Sequence, residues 1–318
     1  LDLTVLPAAS REAEVTAAAQ REARLPFSLD RGPLLRTTLV RVAEQDHVLL
    51  LTLHHIISDG WSLGVLFREL SALYTAFHER RPADLPELRA QVADISAWQR
   101  QLLQGERLQK ELSYWKAQLA GCPPLELPTD HQRPPVLSYR GRILTFSLDA
   151  SLGRDLNALA QSQQATLFMT LLGSFAVLLS RYSQQTDIAV GSPIAGRTCT
   201  EMEPLIGCFV NTLVLRTSLE KSPSFRELLA RVRKSCLDAY SHQQLPFERL
   251  VDELHVTRDR SRNPLFQVMF LLQNAPLDEL RLPDLESSYV LVHQQTSKFD
   301  LTLSVEEQPD GGLSGAFE

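Results

Sequence analysis

Strand-like runs rich in Leu and β-branched residues alternate with amphipathic helical stretches along the 318 residues, and this alternation confines the chain to mixed α/β architectures. The first helical stretch, residues 9–24, carries Ala, Glu and Arg at helical spacing and stops at Pro26. Two strand-like runs follow, 34–42 and 47–54, joined by a polar turn at 44–47. Ser58-Asp59-Gly60 then turns the chain into a helix over 61–77, with Leu63, Leu66, Phe67, Leu70 and Leu73 as its apolar face. Further helices are expected at 94–103, 106–119, 152–163, 166–182 and 224–240. Strands are expected at 142–148, near 187–194 and 208–216, and at 265–273 and 299–305. The Pro-rich segment 121–136 reads as an extended connector.

Composition removes several classes of function. Hydrophobic residues make up 44% and charged residues 22%, too apolar for a disordered chain. The balance of 32 Lys plus Arg against 38 Asp plus Glu leaves a net charge of −6, which argues against a nucleic-acid partner. The longest apolar stretch, 167–179, is interrupted by Thr170, Gly173 and Ser174. It is too short to span a bilayer and reads as a core helix, so no membrane association is expected. The opening Leu-Asp-Leu-Thr lacks both Met and a basic signal region, so the chain is expected to be cytoplasmic and cut from something longer. Cys122, Cys199, Cys208 and Cys236 form no CxxC pair and are expected to be buried free thiols. Gly191 and Gly196 have the spacing of a phosphate-binding loop, but Arg197-Thr198 follows where Lys-Ser/Thr is required, so that reading is rejected.

Chemistry concentrates in Leu53-His54-His55-Ile56-Ile57-Ser58-Asp59-Gly60-Trp61. An apolar strand ends in two imidazoles, and a carboxylate follows four residues after the second. Alternation sends adjacent strand residues to opposite faces, so only one His can serve a given cleft. Imidazole exchanges protons near neutral pH, which suits a general base or a hydrogen-bond donor. The competing readings are two structural histidines, with Asp59 as an ordinary helix N-cap. A metal site lacks a third ligand at helical or loop spacing nearby, so no metal is expected.

The motif HHIISDGWS resembles the HHxxxDG signature of the condensation domains of nonribosomal peptide synthetases, and further blocks follow in the family's order. VADISAWQR (92–100) is similar to the family's YADYAVWQR block, with Val92 in place of an aromatic residue. SYWKAQLAG and LELPTDHQRPP lie in 113–135, and IGCFVNTLVLR (206–216) resembles the IGxFVNT block. HQQLPFERLV (242–251) resembles HQDxPFE, with Gln244 replacing the acid. RDRSRNPLFQVMF (258–270) and KFDLTLSV (298–305) complete the set. Two upstream motifs of the family, SxAQxRLW and RHExLRTxF, are absent, and GLSGAFE stops inside a strand-like run. By resemblance the chain is therefore a condensation domain truncated at its start and slightly at its end.

The resemblance implies two chloramphenicol-acetyltransferase-like halves in a V around a central tunnel, with the first half incomplete. The halves are expected at 1–105 and 106–318, with segment 121–136 as the compositional alternative for the boundary. It implies amide-bond formation between a donor thioester and an acceptor amine, both held on 4'-phosphopantetheine arms. The implied partners are upstream and downstream peptidyl carrier domains and an adjacent adenylation domain, and no cofactor is expected in the domain itself. His55 matches the catalytic residue, and Gly60 is expected to permit a turn and close approach of its N–H to the reacting centre. Asp59 is expected to pair with Arg216 and fix the His loop, with Arg197 as the next partner should Arg216 lie elsewhere. His54 is read as structural, and Asn211 as a hydrogen-bonding support. An epimerization domain shares HHxxxDG, but its EGHGR-type motif is missing from 140–318. A heterocyclization domain would carry an Asp-rich version of the motif, a stand-alone acyl-CoA acetyltransferase would lack the HQQLPFE and SRNPLFQ blocks, and an inert docking domain would lose the histidines. The blocks resemble those of domains receiving an L-configured donor more than a D-configured one.

Overall fold

The computed structural model describes residues 1–255, 259–273, 280–290 and 295–318; Arg258, at the start of the RDRSRNPLFQ block, lies outside them. The chain divides into two compact units. Unit one takes Leu1–Ile95, Arg197–Phe209 and Ala275–Gln294, and unit two takes Ser96–Gly196, Val210–Asn274 and Gln295–Glu318. The expected boundary near residue 105 therefore falls inside unit two. The two later returns to unit one, both embedded in the sequence of the other unit, leave no compositional mark.

In unit one, helix α1 (Ala8–Arg24) packs on a two-stranded antiparallel sheet of β1 (Leu35–Arg41) and β2 (His47–Leu53). The register runs from Leu35 opposite Leu53 to Arg41 opposite His47. Arg11 ties α1 to the segments beside it, donating to the carbonyls of Leu6, Val42 and Thr4 at 3.0, 2.9 and 3.0 Å. β2 runs into a single 3-10 turn (His55–Ile57) and then α2 (Gly60–His78), which starts where Asp59 caps the Ser62 N–H. α3 (Val92–Leu102) contributes its first turn to this unit. Ile95 packs there with Met202 and Leu205, under Ala90, Cys199 and Phe209.

Unit two is built on a six-stranded sheet. After α4 (Gly105–Leu119), the chain forms β3 (Leu144–Leu148), α5 (Ala150–Ser162), α6 (Leu167–Ser183), β4 (Asp187–Ile194) and β5 (Asn211–Ser218). It continues through α7 (Phe225–Ser241), α8 (Phe247–Glu253), β6 (Val268–Gln273), β7 (Leu301–Glu307) and β8 (Leu313–Phe317). The strand order is β3-β8-β7-β6-β4-β5, with β6 parallel to both β4 and β7 and the other pairs antiparallel. Helix starts follow local chemistry. Asp149 accepts from the Leu152 N–H, Thr166 from the Met169 N–H, and Ser224 with Glu227 closes a capping box. The stretch 167–179 is indeed a core helix, since α6 buries Leu167, Met169, Leu172, Phe175, Ala176 and Leu179. Among the described residues no single helix is long and apolar enough to cross a membrane.

The central strands read as apolar runs because both of their faces are covered. Ile188, Val190, Leu213, Leu215, Phe266 and Phe270 all lie in one core with α6 and α7. Each such side chain contributes about 1.5–3 kcal/mol through its burial. Gly191 sits in β4 because a Cβ there would lie 2.2 Å from the Phe266 ring, which gives a packing reason for a glycine that only resembles a phosphate-loop residue. Gly191→Ala should therefore destabilise unit two by about 1–3 kcal/mol in denaturant unfolding, as overpacking does.

Several expectations need correction. α8 was not expected, because seven residues inside HQQLPFERLV are too few to show a period. β5 starts at Asn211 rather than 208, because the backbone of residues 207 and 209 is hydrogen-bonded to side chains of unit one. The Pro-rich segment is extended but docked: Leu125 is buried and its N–H donates to Gln267 Oε1 at 2.8 Å, while Arg262 grips the Glu126 carboxylate. Only Cys236 among the four cysteines is buried; Cys122 and Cys199 are half-buried and Cys208 is exposed.

Candidate active site

The loop after β2 places the two histidines differently. The His54 N–H donates to Leu34 O at 2.9 Å, its ring Nδ1 accepts from the Ile56 N–H at 3.0 Å, and Phe27 meets the ring edge-on at 5.6 Å. His54 thus shapes the turn. His55 opens the 3-10 turn and is exposed, with its Nδ1 3.5 Å from Cys208 Sγ.

Asp59 is buried, and both of its carboxylate oxygens are engaged. Oδ1 accepts from the Ser62 N–H at 2.8 Å, from the Ser62 hydroxyl at 2.7 Å and from Arg197 Nη2 at 3.0 Å, and Oδ2 accepts from the Phe209 N–H at 3.0 Å. The Asp59 and Arg197 side chains are 4% and 2% exposed. Burial by itself raises the carboxyl's pKa. The Phe209 N–H, the Ser62 hydroxyl and N–H, and the Arg197 charge together outweigh it and hold Asp59 below the usual carboxylate value. A carboxylate so held is a poor proton acceptor.

Arg197 extends the network. Its Nη1 donates to the carbonyls of Met202 and Leu205, its Nη2 also reaches Ser62 Oγ at 3.0 Å, and the guanidinium lies over the Phe209 ring, 4.5 Å from the centroid. Ser62, 1% exposed, has its Oγ 2.8 Å from Gly207 O and 3.0 Å from Gly207 N. The Trp61 indole N–H donates to Glu203 O at 3.0 Å. The segment 197–209 is thereby fastened to the start of α2 by side chains of the HHxxxDGWS block.

The expected partner of Asp59 was Arg216, and that expectation is wrong. The Arg216 guanidinium forms a two-pronged pair with Asp187, with its Nε 2.9 Å from Oδ1, and donates to the carbonyls of Gln118 and Ala120 at 2.9 Å each. Asp187 is its cross-sheet neighbour, since β4 and β5 pair Ala189 with Arg216 two residues away. Arg216 thus holds unit two together. Asn211 Nδ2 donates to the carbonyls of Gln243 and Leu245, and its Oδ1 accepts from the Phe247 N–H. Asn211 fastens β5 to the start of α8. Gly60 does not need the freedom of glycine for the turn: its φ is not left-handed and a Cβ would meet nothing within 4 Å. What it contributes is an unobstructed first helical position, where the backbone N–H has no intrahelical acceptor.

Sequence reading missed Ser62 and did not assign Cys208 a place beside His55. Ser62 was visible as the last letter of the block, directly after the Asp-Gly-Trp that carries the cap. Among the described residues no group of three His, Cys, Asp or Glu side chains could hold a metal ion.

The Asp59 shift has a definite sign against pH. The folded carboxyl is held below its unfolded value near 4, so its stabilisation is complete above about pH 4 and is lost as pH falls through the lowered folded value. Acid unfolding monitored by circular dichroism should lose this contribution in Asp59→Asn, whose stability should depend less on pH below about 4.

The sequence profile described as Condensation domain matches residues 1–318. The chain belongs to the condensation-domain family. A linear gramicidin synthase polypeptide of Brevibacillus parabrevis is 54% identical over 324 aligned residues, which cover 100% of this chain and 6% of the relative. Chondramide synthase cmdD of Chondromyces crocatus is 47% identical over 317 residues, covering 100% of this chain and 8% of the relative. This condensation domain therefore spans only a small part of the length of these synthases. Among solved structures, the X-domain from teicoplanin biosynthesis matches with a TM-score of 0.87 at 30% identity, over 96% of this chain and 71% of that one. The first condensation domain of the calcium-dependent antibiotic synthetase, solved with a substrate analogue, matches with a TM-score of 0.77, over 100% of this chain and 68% of that one. At 20% identity the likeness is one of fold. The mixed α/β class expected from the sequence is the one observed, with the fold of condensation domains.

Proposed function

We propose that this condensation domain forms an amide bond by aminolysis of a thioester, joining a donor acyl or peptidyl group to the amine of an acceptor aminoacyl group. The observation that carries this reading is the division of labour in HHxxxDG. Asp59 is consumed by four hydrogen bonds and His54 by its turn, which leaves His55 exposed in the 3-10 turn that follows β2. The amine nitrogen adds to the thioester carbon, the C–N bond forms and the carbonyl becomes an oxyanion. Collapse then breaks the C–S bond, and the leaving sulfur takes up the proton released by nitrogen. His55 contacts the reacting amine or the oxyanion, and the Gly60 N–H at the start of α2, which has no intrahelical acceptor, is a donor suited to developing negative charge. Alignment of two tethered chains removes much of the entropic barrier.

Both substrates arrive on 4'-phosphopantetheine arms of peptidyl carrier domains, with an adenylation domain alongside to supply the acceptor, in the cytoplasm. These partners are inferred from the multidomain synthases that the domain resembles. A second reading, docking without chemistry, is favoured by the likeness to the teicoplanin X-domain, which has been solved in complex with OxyB.

The test is transfer between a donor-loaded and an acceptor-loaded carrier domain, followed by intact-protein mass spectrometry in deuterated water. Amide product on the acceptor carrier supports condensation. Deuterium incorporation at the donor α-carbon without transfer would indicate epimerization, and carrier binding with neither outcome would indicate docking.

A further inference from the structure

Residues 207–209 are held from both sides of Cys208. Gly207 is bracketed by the Ser62 hydroxyl, and the Phe209 N–H is bonded to Asp59 Oδ2. The residue between these two anchors delivers its thiol to His55 Nδ1, at 3.5 Å. The network around Asp59 thus fixes two things at once, the start of α2 and the sulfur beside the exposed histidine. Among the described residues His55 Nε2 has no hydrogen-bond partner, so Nδ1 is the ring atom that the protein addresses.

We propose that Cys208 is a positioning residue that donates its S–H to His55 Nδ1 and holds the imidazole in the tautomer with its proton on Nε2. This rests on the role proposed for His55 in amide-bond formation. Two arrangements could satisfy the contact. In one, Nδ1–H donates to sulfur, a weak acceptor; in the other, S–H donates to the imidazole lone pair, a much better acceptor. The second arrangement leaves Nε2 protonated and pointing no lone pair at the reacting groups. His55 then meets the substrates as a hydrogen-bond donor, to the thioester oxygen and the oxyanion that develops on it, rather than as the first acceptor of the amine proton. The acceptor amine must then arrive neutral or lose its proton to the departing sulfur.

The experiment uses the full 318-residue chain labelled with ¹⁵N-histidine, with the His55 signals assigned by loss in His55→Gln. Long-range ¹H–¹⁵N correlation at neutral pH distinguishes the two tautomers without any substrate. The expected result is the Nε2–H tautomer in the wild type and in Cys208→Ser, which keeps a donor, and a mixture of tautomers in Cys208→Ala. In the carrier-to-carrier assay, kcat should fall about fivefold in Cys208→Ala with KM unchanged, the worth of one neutral hydrogen bond, and Cys208→Ser should restore it. An Nδ1–H tautomer in the wild type overturns the proposal, as does an unchanged His55 spectrum in Cys208→Ala. Should no transfer occur in any variant, the functional reading fails, and the wild-type tautomer still decides the proposal. A Cys208→Ala chain that does not fold leaves that same wild-type spectrum as the deciding result.

Discussion

Transfer between loaded carriers should fall by about 10²–10⁴-fold in His55→Ala, the range commonly lost with a positioned acid, base or donor, while unfolding stays close to wild type. The asymmetry follows from exposure. His55 is open to solvent and, among the described residues, its ring bonds only to Cys208, so its loss strands no buried group. His54→Ala should show the reverse balance. It removes the acceptor of the Ile56 N–H and the edge contact with Phe27, which is worth about 1 kcal/mol of stability, while leaving His55 chemistry in place. Rapid-quench kinetics on one hand and urea unfolding on the other separate the two variants.

Arg197→Ala should destabilise the protein by about 3–5 kcal/mol, because it leaves the Asp59 carboxylate buried without its counter-charge. The loss extends beyond the ion pair. The carbonyls of Met202 and Leu205 lose their donor, and Phe209 loses the cation over its ring. The variant should also slow transfer, since the segment that brings Cys208 to His55 loses its main fastening. Arg216→Ala is the control: its partners are Asp187 and two carbonyls of unit two, so it should lower stability without altering the acid dependence attributed to Asp59. Denaturant unfolding between about pH 3 and pH 7 reads both effects.

Much of this site was legible before any coordinates. The HHxxxDG block marked the end of a strand and offered Asp59 as a helix N-cap, because cap chemistry acts over a few residues; strand alternation does not separate the histidines, since β2 ends at Leu53 and His55 opens a 3-10 turn. The helices of unit two were legible for the same reason, with Ser224 and Glu227 closing a capping box at the start of α7. What was not legible is set by long-range contact. Asp59 chooses Arg197, 138 residues away, over Arg216, and nothing in the local sequence distinguishes the two arginines. Arg216 is claimed by Asp187 because β4 and β5 lie side by side, and that pairing exists only in the folded sheet. Residues 208–210 resemble the start of a strand by composition, yet the backbone on either side of Cys208 serves Ser62 and Asp59 instead. α8 escaped because seven residues cannot show a period, and the return of 197–209 to unit one escaped because no change of composition marks it.

The claim that Asp59 frames the site while His55 acts in it is tested most directly by the double variant Asp59→Asn/Arg197→Met, assayed for transfer in the native polypeptide at a temperature where it is folded. Removing both buried charges strands neither, so stability should recover the part of the single-variant loss that comes from the unpaired charge. Transfer should stay within about tenfold of wild type, because the single Asn oxygen can still accept from Ser62 and cap α2, so that only the Phe209 N–H loses its acceptor. A folded double variant whose transfer rate has dropped by about 10²-fold or more, as far as that of His55→Ala, would contradict the account and make Asp59 a participant in the chemistry.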